Sequence, residues 1–591
     1  MASQPGVYAV FKDRMIDYPV PIRLPTLKSV QEAIRARLEG LTPPFHPPTF
    51  REAPTLRDVV EITGASGVWE EYGIDGSGVT IAIVDTGVDY GALNLGYWDV
   101  MARDENGFPA AFDPDAECMA ITNTVITETF TMTGRDVWIN TMGTDPDIYL
   151  GVLGYLGYPP IIKWSDLMGS PFPYFMNVTG IVSASGAYHF GVMLQILGGM
   201  NVTLFPVLVV DSTIPGVYDT VYVDLSFGWW FLGFTSTLDL SFADETPLTP
   251  TGWVVAARDF TGDGIYDLSA GALGYFLDVW GGSPNLEDRG LILQPIDPRG
   301  NYVVFVNDWF GHGTSCACCA LGRGIEPLPT GPGMAPGARL MGITALFIGD
   351  IIEGWLWAAG FDLVPGTEGW IEVPSYGTVY GVWTYTGRHK ADIISNSWGL
   401  SDWASWLMGM PFYDVLTMLE DALMAPGYLH PDYPGTVMVH AGGNGGPGYG
   451  TFTSPGYATL PISVGASTSM NFSQVYGYAG GYYDEVIPWS ARGPTPLGTV
   501  KPDVVNIGAY GVVAAPVWMG MGNGAYAFTI FGGTSMATPL TAGAAALIIQ
   551  ACREKAGAEP PPPTVKVIMK STARDLGYDP LVQGAGRVDV L

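Results

Sequence analysis

Ser535 lies in FGGTSMATPLTAGAAALIIQ (residues 531–550), where a glycine-lined turn delivers it to a small-residue, apolar stretch long enough for a buried helix. Thr534 is the expected helix cap. A hydroxyl at a helix N-terminus gains from unpaired backbone N–H groups and from the positive end of the helix dipole. Both favour the negative oxygen formed when a hydroxyl attacks a carbonyl. Taken alone, such a serine is more readily an ordinary helix cap.

Three further segments supply what the serine lacks. VTIAIVDTGVD (residues 79–89) is an apolar run ending in Asp85 and a Thr-Gly break, the pattern of a buried parallel strand with a carboxylate at its carboxyl end. GHGTSCACCALG (residues 311–322) sets His312 between two glycines, ahead of a second small-residue helix. HAGGNGG (residues 440–446) follows the apolar residues 437–439 and places Asn444 at a strand exit. A hydroxyl, an imidazole, a carboxylate and an amide donor together make an acyl-transfer apparatus: nucleophile, general base, orienter of the base, and oxyanion donor.

The chain order Asp, His, Ser resembles that of the subtilisin-like serine peptidases. The segments GMAPGARL (333–340), ADIISNSWG (391–399), LPISVGAS (460–467), WSARGP (489–494), KPDVV (501–505) and QGAGRVDV (583–590) are similar to family blocks in family order, so the resemblance runs from about Val59 to Leu591. Two departures stand out. Ser315 and the run Cys316, Cys318 and Cys319 replace the residues that usually follow the histidine motif, and Ile507-Gly508 stands where Pro-Gly is common.

The resemblance implies roles. Ser535 is the nucleophile, His312 its general base, Asp85 the orienter of His312, and Asn444 with the Ser535 N–H the oxyanion donors. Substrate would add a strand to an exposed edge at Ser397, Trp398 and Gly399. Ala441, Gly442 and Gly443 would line the first specificity pocket, with room for large apolar side chains. Activity should rise with pH as His312 loses its proton.

A long insertion between Asp85 and His312 is similar to the arrangement in the pyrolysin and tripeptidyl peptidase II branch. An exopeptidase must hold the substrate's amino terminus with fixed carboxylates. Glu353, expected at a helix start, could be one, but the position after SNSWG is Leu400. Endopeptidase is therefore favoured over a tripeptidyl-peptidase. A catalytically silent surface or adhesion protein that keeps the fold is the reading from another class, and an intact triad argues against it.

The elements that must position these residues follow from the rest of the chain. Its 591 residues would by length alone suggest about four units. Strand and helix signals alternate from residue 338 onward, as in a doubly wound, mostly parallel α/β sheet whose site lies at the carboxyl ends of the strands. The expected organisation is an N-terminal arm (1–57, a short propeptide remnant being the alternative), a catalytic domain (58–91 and 301–591), and a β-rich insertion (92–300) that walls the cleft, mediates homo-oligomerisation or meets a cell-surface partner. Within the insertion, DFTGDGIYD spaces Asp259, Thr261, Asp263, Asp267 and the Ile265 carbonyl as in a calcium loop, without the usual twelfth-position Glu. Structural calcium is the expectation there, an Asp-Gly turn the alternative.

Lys and Arg total 26 against 57 Asp and Glu, a formal charge of −31, so nucleic acid is not an expected partner. Protein or peptide substrates are. Charged residues make up only 14% of the chain, which we read as a surface suited to an extracellular or cell-surface setting, the cytoplasm being the alternative. Gly, Pro and Asn punctuate the long uncharged stretches, so no transmembrane span is expected. Lys12, Asp13 and Arg14 interrupt any signal-peptide core. The three cysteines at 316–319 lack paired metal-ligand spacing and read as buried free thiols, while a disulfide stays open for Cys118 or Cys552.

Overall fold

The structure, a computed structural model, describes residues 55–591 apart from 152–158, 199–200, 279–282, 289, 326–329, 346, 366–370, 374–376, 380, 401–413, 470–484 and 522–526. It also describes Lys28, Gln31, Glu32 and Arg35, all helical; the remainder of the expected arm before residue 55 lies outside the described residues.

A nine-stranded sheet carries the site. In chain order its strands are β1 (Thr80–Asp85), β2 (Phe112–Asp113), β3 (Tyr275–Leu277), β4 (Ile292–Leu293), β5 (Arg339–Thr344), β6 (Ile393–Asn396), β7 (Val437–Ala441), β8 (Ile462–Ser467) and β9 (Val504–Ile507). Their order across the sheet is β4-β3-β2-β5-β1-β6-β7-β8-β9. Neighbours run parallel except β3 and β4. β1, TIAIVD, is buried from Ile81 to Asp85, and a strand covered on both faces needs no polar alternation. The strand order reverses between β1 and β6, so the crevice beyond Asp85 and Asn396 is where an open α/β sheet places its ligand.

The principal helices are α1 (His312–Leu321), α2 (Ile348–Ala358), α3 (Val415–Met424) and α4 (Thr534–Ala551). α4 carries no charge and is buried around nearly its whole circumference against α1 and strands β6 to β9. By length and composition the helix beginning at Thr534 could cross a membrane, but 83% of its apolar window is buried within the protein, as in the core helix of a globular domain.

Residues 92–300 are indeed β-rich, with antiparallel sheets built around the paired strands Tyr188–Leu197 and Asn201–Val210 and around Val255–Arg258 and Leu268–Leu273. They do not stand apart, however. β2, β3 and β4 all come from this segment and complete one edge of the central sheet. One continuous apolar core runs from Leu56 through Phe190 and Phe205 to Val588. The insertion is therefore woven into the catalytic sheet rather than hung from a loop. Short strands such as Phe112–Asp113 are too brief for periodicity to reveal them.

Candidate active site

Asp85 ends β1, fully buried, and its Oδ1 accepts hydrogen bonds from His312 Nδ1 at 2.7 Å and from the Thr86 N–H at 2.8 Å. His312 opens α1 after Gly311, whose φ of 90° is a left-handed turn that favours glycine. Gly313 is needed for a different reason: a Cβ there would collide with the Gly87 carbonyl and push α1 off the Asp85 strand.

Asp308 holds this corner together. Its Oδ1 accepts from the Gly311 N–H (2.7 Å), the Phe310 N–H (3.1 Å) and Thr86 Oγ1 (2.9 Å), and its Oδ2 accepts from the N–H and hydroxyl of Thr314 (2.8 and 2.7 Å). Burial raises the Asp308 carboxyl to about 6 against the pull of these bonds. The Thr86 hydroxyl also accepts from the Gly313 N–H at 2.9 Å, which couples the Asp85 and His312 turns.

Ser535 is the second residue of α4 and buried. The residue before the helix is Gly533, at φ 104°, so Thr534 is not the cap expected from sequence but the first helical residue. Its hydroxyl is used elsewhere: it accepts from the Gly443 N–H (3.2 Å) and donates to Asn444 Oδ1 (3.1 Å), while the Thr534 N–H donates to the same oxygen (2.9 Å). With its oxygen so held, the exposed Asn444 amide brings its Nδ2 against Gly533. Ser535 Oγ donates to the Ser397 carbonyl at 2.8 Å.

Cys316 shows how closely the parts converge. Its Sγ lies 3.7 Å from Asp85 Oδ2, 3.7 Å from His312 Nδ1 and 3.6 Å from the Ser535 carbonyl. That carbonyl is open to it because Pro539, four residues on, has no N–H to complete the helical ladder. Burial, with Asp85 adjacent, pushes the Cys316 thiol well above its ordinary range. All five cysteines are free, so the disulfide left open for Cys118 or Cys552 does not form.

A cleft of 330 Å³ opens beside His312, Asn444 and Gly533 and is walled by Trp489, Tyr510, Ile530 and Phe531. The Phe531 ring meets the imidazole edge-on, with centroids 5.2 Å apart.

The expected substrate-binding residues differ from expectation in detail. Ser397 and Trp398 are buried rather than an exposed edge. Trp398 Nε1 donates to the Val84 carbonyl (3.0 Å), its own carbonyl meets His440 Nε2 (2.9 Å), and the Leu400 N–H is taken by the Ser454 carbonyl (2.7 Å). Only Gly399 keeps partial exposure, against Thr453. Ala441 and Gly442 are buried at the end of β7, and the room expected beside Gly442 is filled by the Phe452 ring. Gly443, at φ 103°, is half-buried. Glu353 falls in the second turn of α2; the first-turn acid is Asp350.

The loop at Asp259, Thr261, Asp263, Ile265 and Asp267 is closed by its own backbone. Asp259 accepts from the Gly262 and Gly264 N–H groups (2.6 and 2.8 Å), Asp263 from Ile265 (3.0 Å), and Asp267 from Phe260 and Thr261 (2.7 and 2.9 Å). Among the described residues, ligand-bearing side chains converge to within 4.8 Å at two other places: Asp85, His312 and Cys316, and Asp115, Glu117 and Asp350.

Several positioning residues were not singled out from sequence. Asp308 stands four places before His312, and a buried acid so close to a helix start was the available signal. His440 and Glu420, both fully buried and joined at 2.9 Å, hold the Trp398 carbonyl from beneath. No local spacing joins Glu420 to His440, because the chain brings them together only through α3 packing on β7.

Fold and site together place the chain in a family: it belongs to the subtilase family, whose pattern matches residues 76–586. Among its relatives is pyrolysin of Pyrococcus furiosus, 28% identical over 640 aligned residues that cover 95% of this chain and 38% of that protein. Serine protease AprX of Bacillus subtilis is 29% identical over 325 residues, 51% of this chain and 63% of that one. Tripeptidyl-peptidase 2 of Drosophila melanogaster is 27% identical over 314 residues, 52% of this chain and 19% of that protein. The chain thus spans less than two thirds of the length of each of these relatives.

Proposed function

We propose that this protein is a serine endopeptidase. The observation that carries the reading is the convergence of the Asp85 carboxylate, the His312 ring and the Ser535 main-chain carbonyl on one thiol, with a buried 2.7 Å Asp85–His312 hydrogen bond. On this reading Ser535 Oγ leaves the Ser397 carbonyl and attacks the scissile carbonyl carbon while His312 Nε2 takes its proton. Asp85 keeps the other proton on Nδ1 and stabilises the imidazolium. The carbonyl oxygen, now negative, is received by Asn444 Nδ2 and the Ser535 N–H at the start of α4. His312 returns the proton to the leaving amine, and a water repeats the sequence on the acyl-enzyme.

The buried, apolar Leu400 and the second-turn place of Glu353 support endopeptidase over tripeptidyl-peptidase action, since neither supplies an acid fixed at the site for a substrate amino terminus. The aromatic cleft beside His312 supports a preference for large apolar side chains flanking the scissile bond, and the Phe452 ring beneath Gly442 sets the depth of the first pocket. The Asp259–Asp267 loop is read as a turn stapled by its own acids, since its carboxylates are already engaged by N–H donors. An extracellular setting fits the acidic, sparsely charged composition.

Cleavage-site mapping on one peptide, N-acetylated and unblocked, tests the proposal. Internal cuts should appear in both at equal rate and vanish with Ser535→Ala. Cuts confined to three residues from a free amino terminus would establish the exopeptidase instead.

A further inference from the structure

A second cluster of chemistry-bearing side chains lies away from the triad. Asp113 ends β2, Asp115 and Glu117 follow in the turn that leads to the insertion strand Cys118–Ile121, and Asp350 sits in the first turn of α2. All four are buried, at 1, 3, 3 and 1% exposure. The turn is set by Ala116, whose φ of 53° a non-glycine residue rarely adopts.

Asp113 Oδ2 accepts the Glu117 N–H at 3.1 Å, Asp350 Oδ2 accepts the Phe347 N–H at 2.8 Å, and the Tyr149 hydroxyl donates to the Asp115 carbonyl at 2.9 Å. What these bonds leave over is informative. Asp113 Oδ1 and Glu117 Oε2 are buried and no N–H or hydroxyl donor reaches either among the described residues; the two carboxyls lie within hydrogen-bonding reach of each other. Neither carboxylate is paired with Lys or Arg among the described residues, whereas the buried Asp503 is joined by Lys501, Lys566 and Lys570. A buried carboxylate without a cation is costly unless a proton or a metal neutralises it.

We propose that Asp113, Asp115, Glu117 and Asp350 form a binding site for one hard divalent cation, calcium foremost, at the junction of the central sheet, α2 and the insertion. One oxygen from each of Asp115, Glu117 and Asp350 lies within 4.8 Å of the others. That spread matches oxygens sharing one ion, since ligands at about 2.3–2.6 Å from calcium stand at most about 5 Å apart. An all-oxygen donor set excludes a preference for soft metals. Calcium, content with six to eight oxygens in irregular geometry, suits a dry turn better than magnesium, which gives up its waters reluctantly. The ion would tie β2, the start of the insertion and the N-terminus of α2 into one unit. This inference does not depend on the peptidase reading.

The test is calcium binding by calorimetry, with thermal unfolding in calcium and in chelator, on the full chain at pH 7.5. The wild type should bind calcium and unfold several degrees higher in it. Glu117→Gln and, separately, Asp350→Asn should lose both effects; both substitutions remove a buried charge, so they should fold at least as well as wild type in chelator. Asp259→Asn should keep both effects. The site is refuted if the wild type binds no calcium at pH 7.5, which would show protons holding the cluster. It is equally refuted if binding survives in Glu117→Gln and disappears in Asp259→Asn.

Discussion

Thr534 grips Asn444 twice, donating to its Oδ1 from the backbone at 2.9 Å and from the hydroxyl at 3.1 Å. The amide is thereby oriented before any substrate arrives, with its N–H₂ end facing the turn that carries Ser535. Asn444→Ala should lower kcat by ~10²–10³ with little change in KM, because the bond it removes forms only as the oxyanion develops. Thr534→Val keeps the backbone donor and loses the hydroxyl, a hydrogen bond of about 0.5–1.5 kcal/mol, so kcat should fall by up to about tenfold. Steady-state kinetics on one peptide measures both, and equal losses in the two variants would contradict this division of labour.

Asp308 makes a pH prediction whose sign follows from its raised value. The folded state holds the Asp308 proton more tightly than the unfolded chain, with a pKa of about 6 against an ordinary ~3.9. Its favourable contribution is full below about pH 4, declines as pH rises to about 6, and is constant above that. Denaturant midpoints of wild type and Asp308→Asn should therefore change their separation between pH 4 and 6 and run parallel at higher pH. Midpoints parallel throughout would show that Asp308 titrates as it does in the unfolded chain.

The cysteines give a labelling prediction. Cys118, Cys316, Cys318 and Cys319 are buried, and burial raises their thiols, so the thiolate needed for alkylation is scarce and shielded; Cys552 is half-exposed. Iodoacetamide at pH 8 should modify Cys552 alone in the native protein and all five cysteines in guanidinium, read by intact mass. Native alkylation of Cys316 would mean that the wall behind the triad opens.

Glu420 and His440 should behave as a unit. Both ring nitrogens of His440 face acceptors, the Glu420 carboxylate and the Trp398 carbonyl, at 2.9 Å each. Glu420→Ala should cost about 3–5 kcal/mol by stranding the ring, while Glu420→Leu combined with His440→Phe should cost less than either partner's loss alone. A double variant as unstable as the sum of the singles would deny the coupling.

The four residues proposed as catalytic stood out in the sequence because each sits at a strand exit or helix start, where local residue types are tightly constrained: Asp85 after TIAIV, His312 between glycines, Asn444 beyond β7, and Ser535 before a charge-free helix. The alternation from Arg339 onward likewise foretold β5, α2, β6, α3 and β7. What escaped depends on tertiary proximity. Phe112–Asp113 is too short to show a period, so the weaving of the insertion into the sheet could not be read. Phe452 fills the space beside Gly442 from another loop, and glycines alone cannot say what packs against them. Asp259, Thr261, Asp263 and Asp267 satisfy a ligand spacing, and the Asp carboxylates also accept backbone N–H groups, a second use that spacing does not reveal.

Labelling with a serine-directed fluorophosphonate tests the central claim most directly. Intact mass should show one adduct per wild-type chain, located at Ser535, at a rate that rises with pH and drops steeply in His312→Ala; Ser535→Ala should take up none. An unlabelled wild type, or an adduct that persists in Ser535→Ala, would contradict the assignment of Ser535 as the nucleophile.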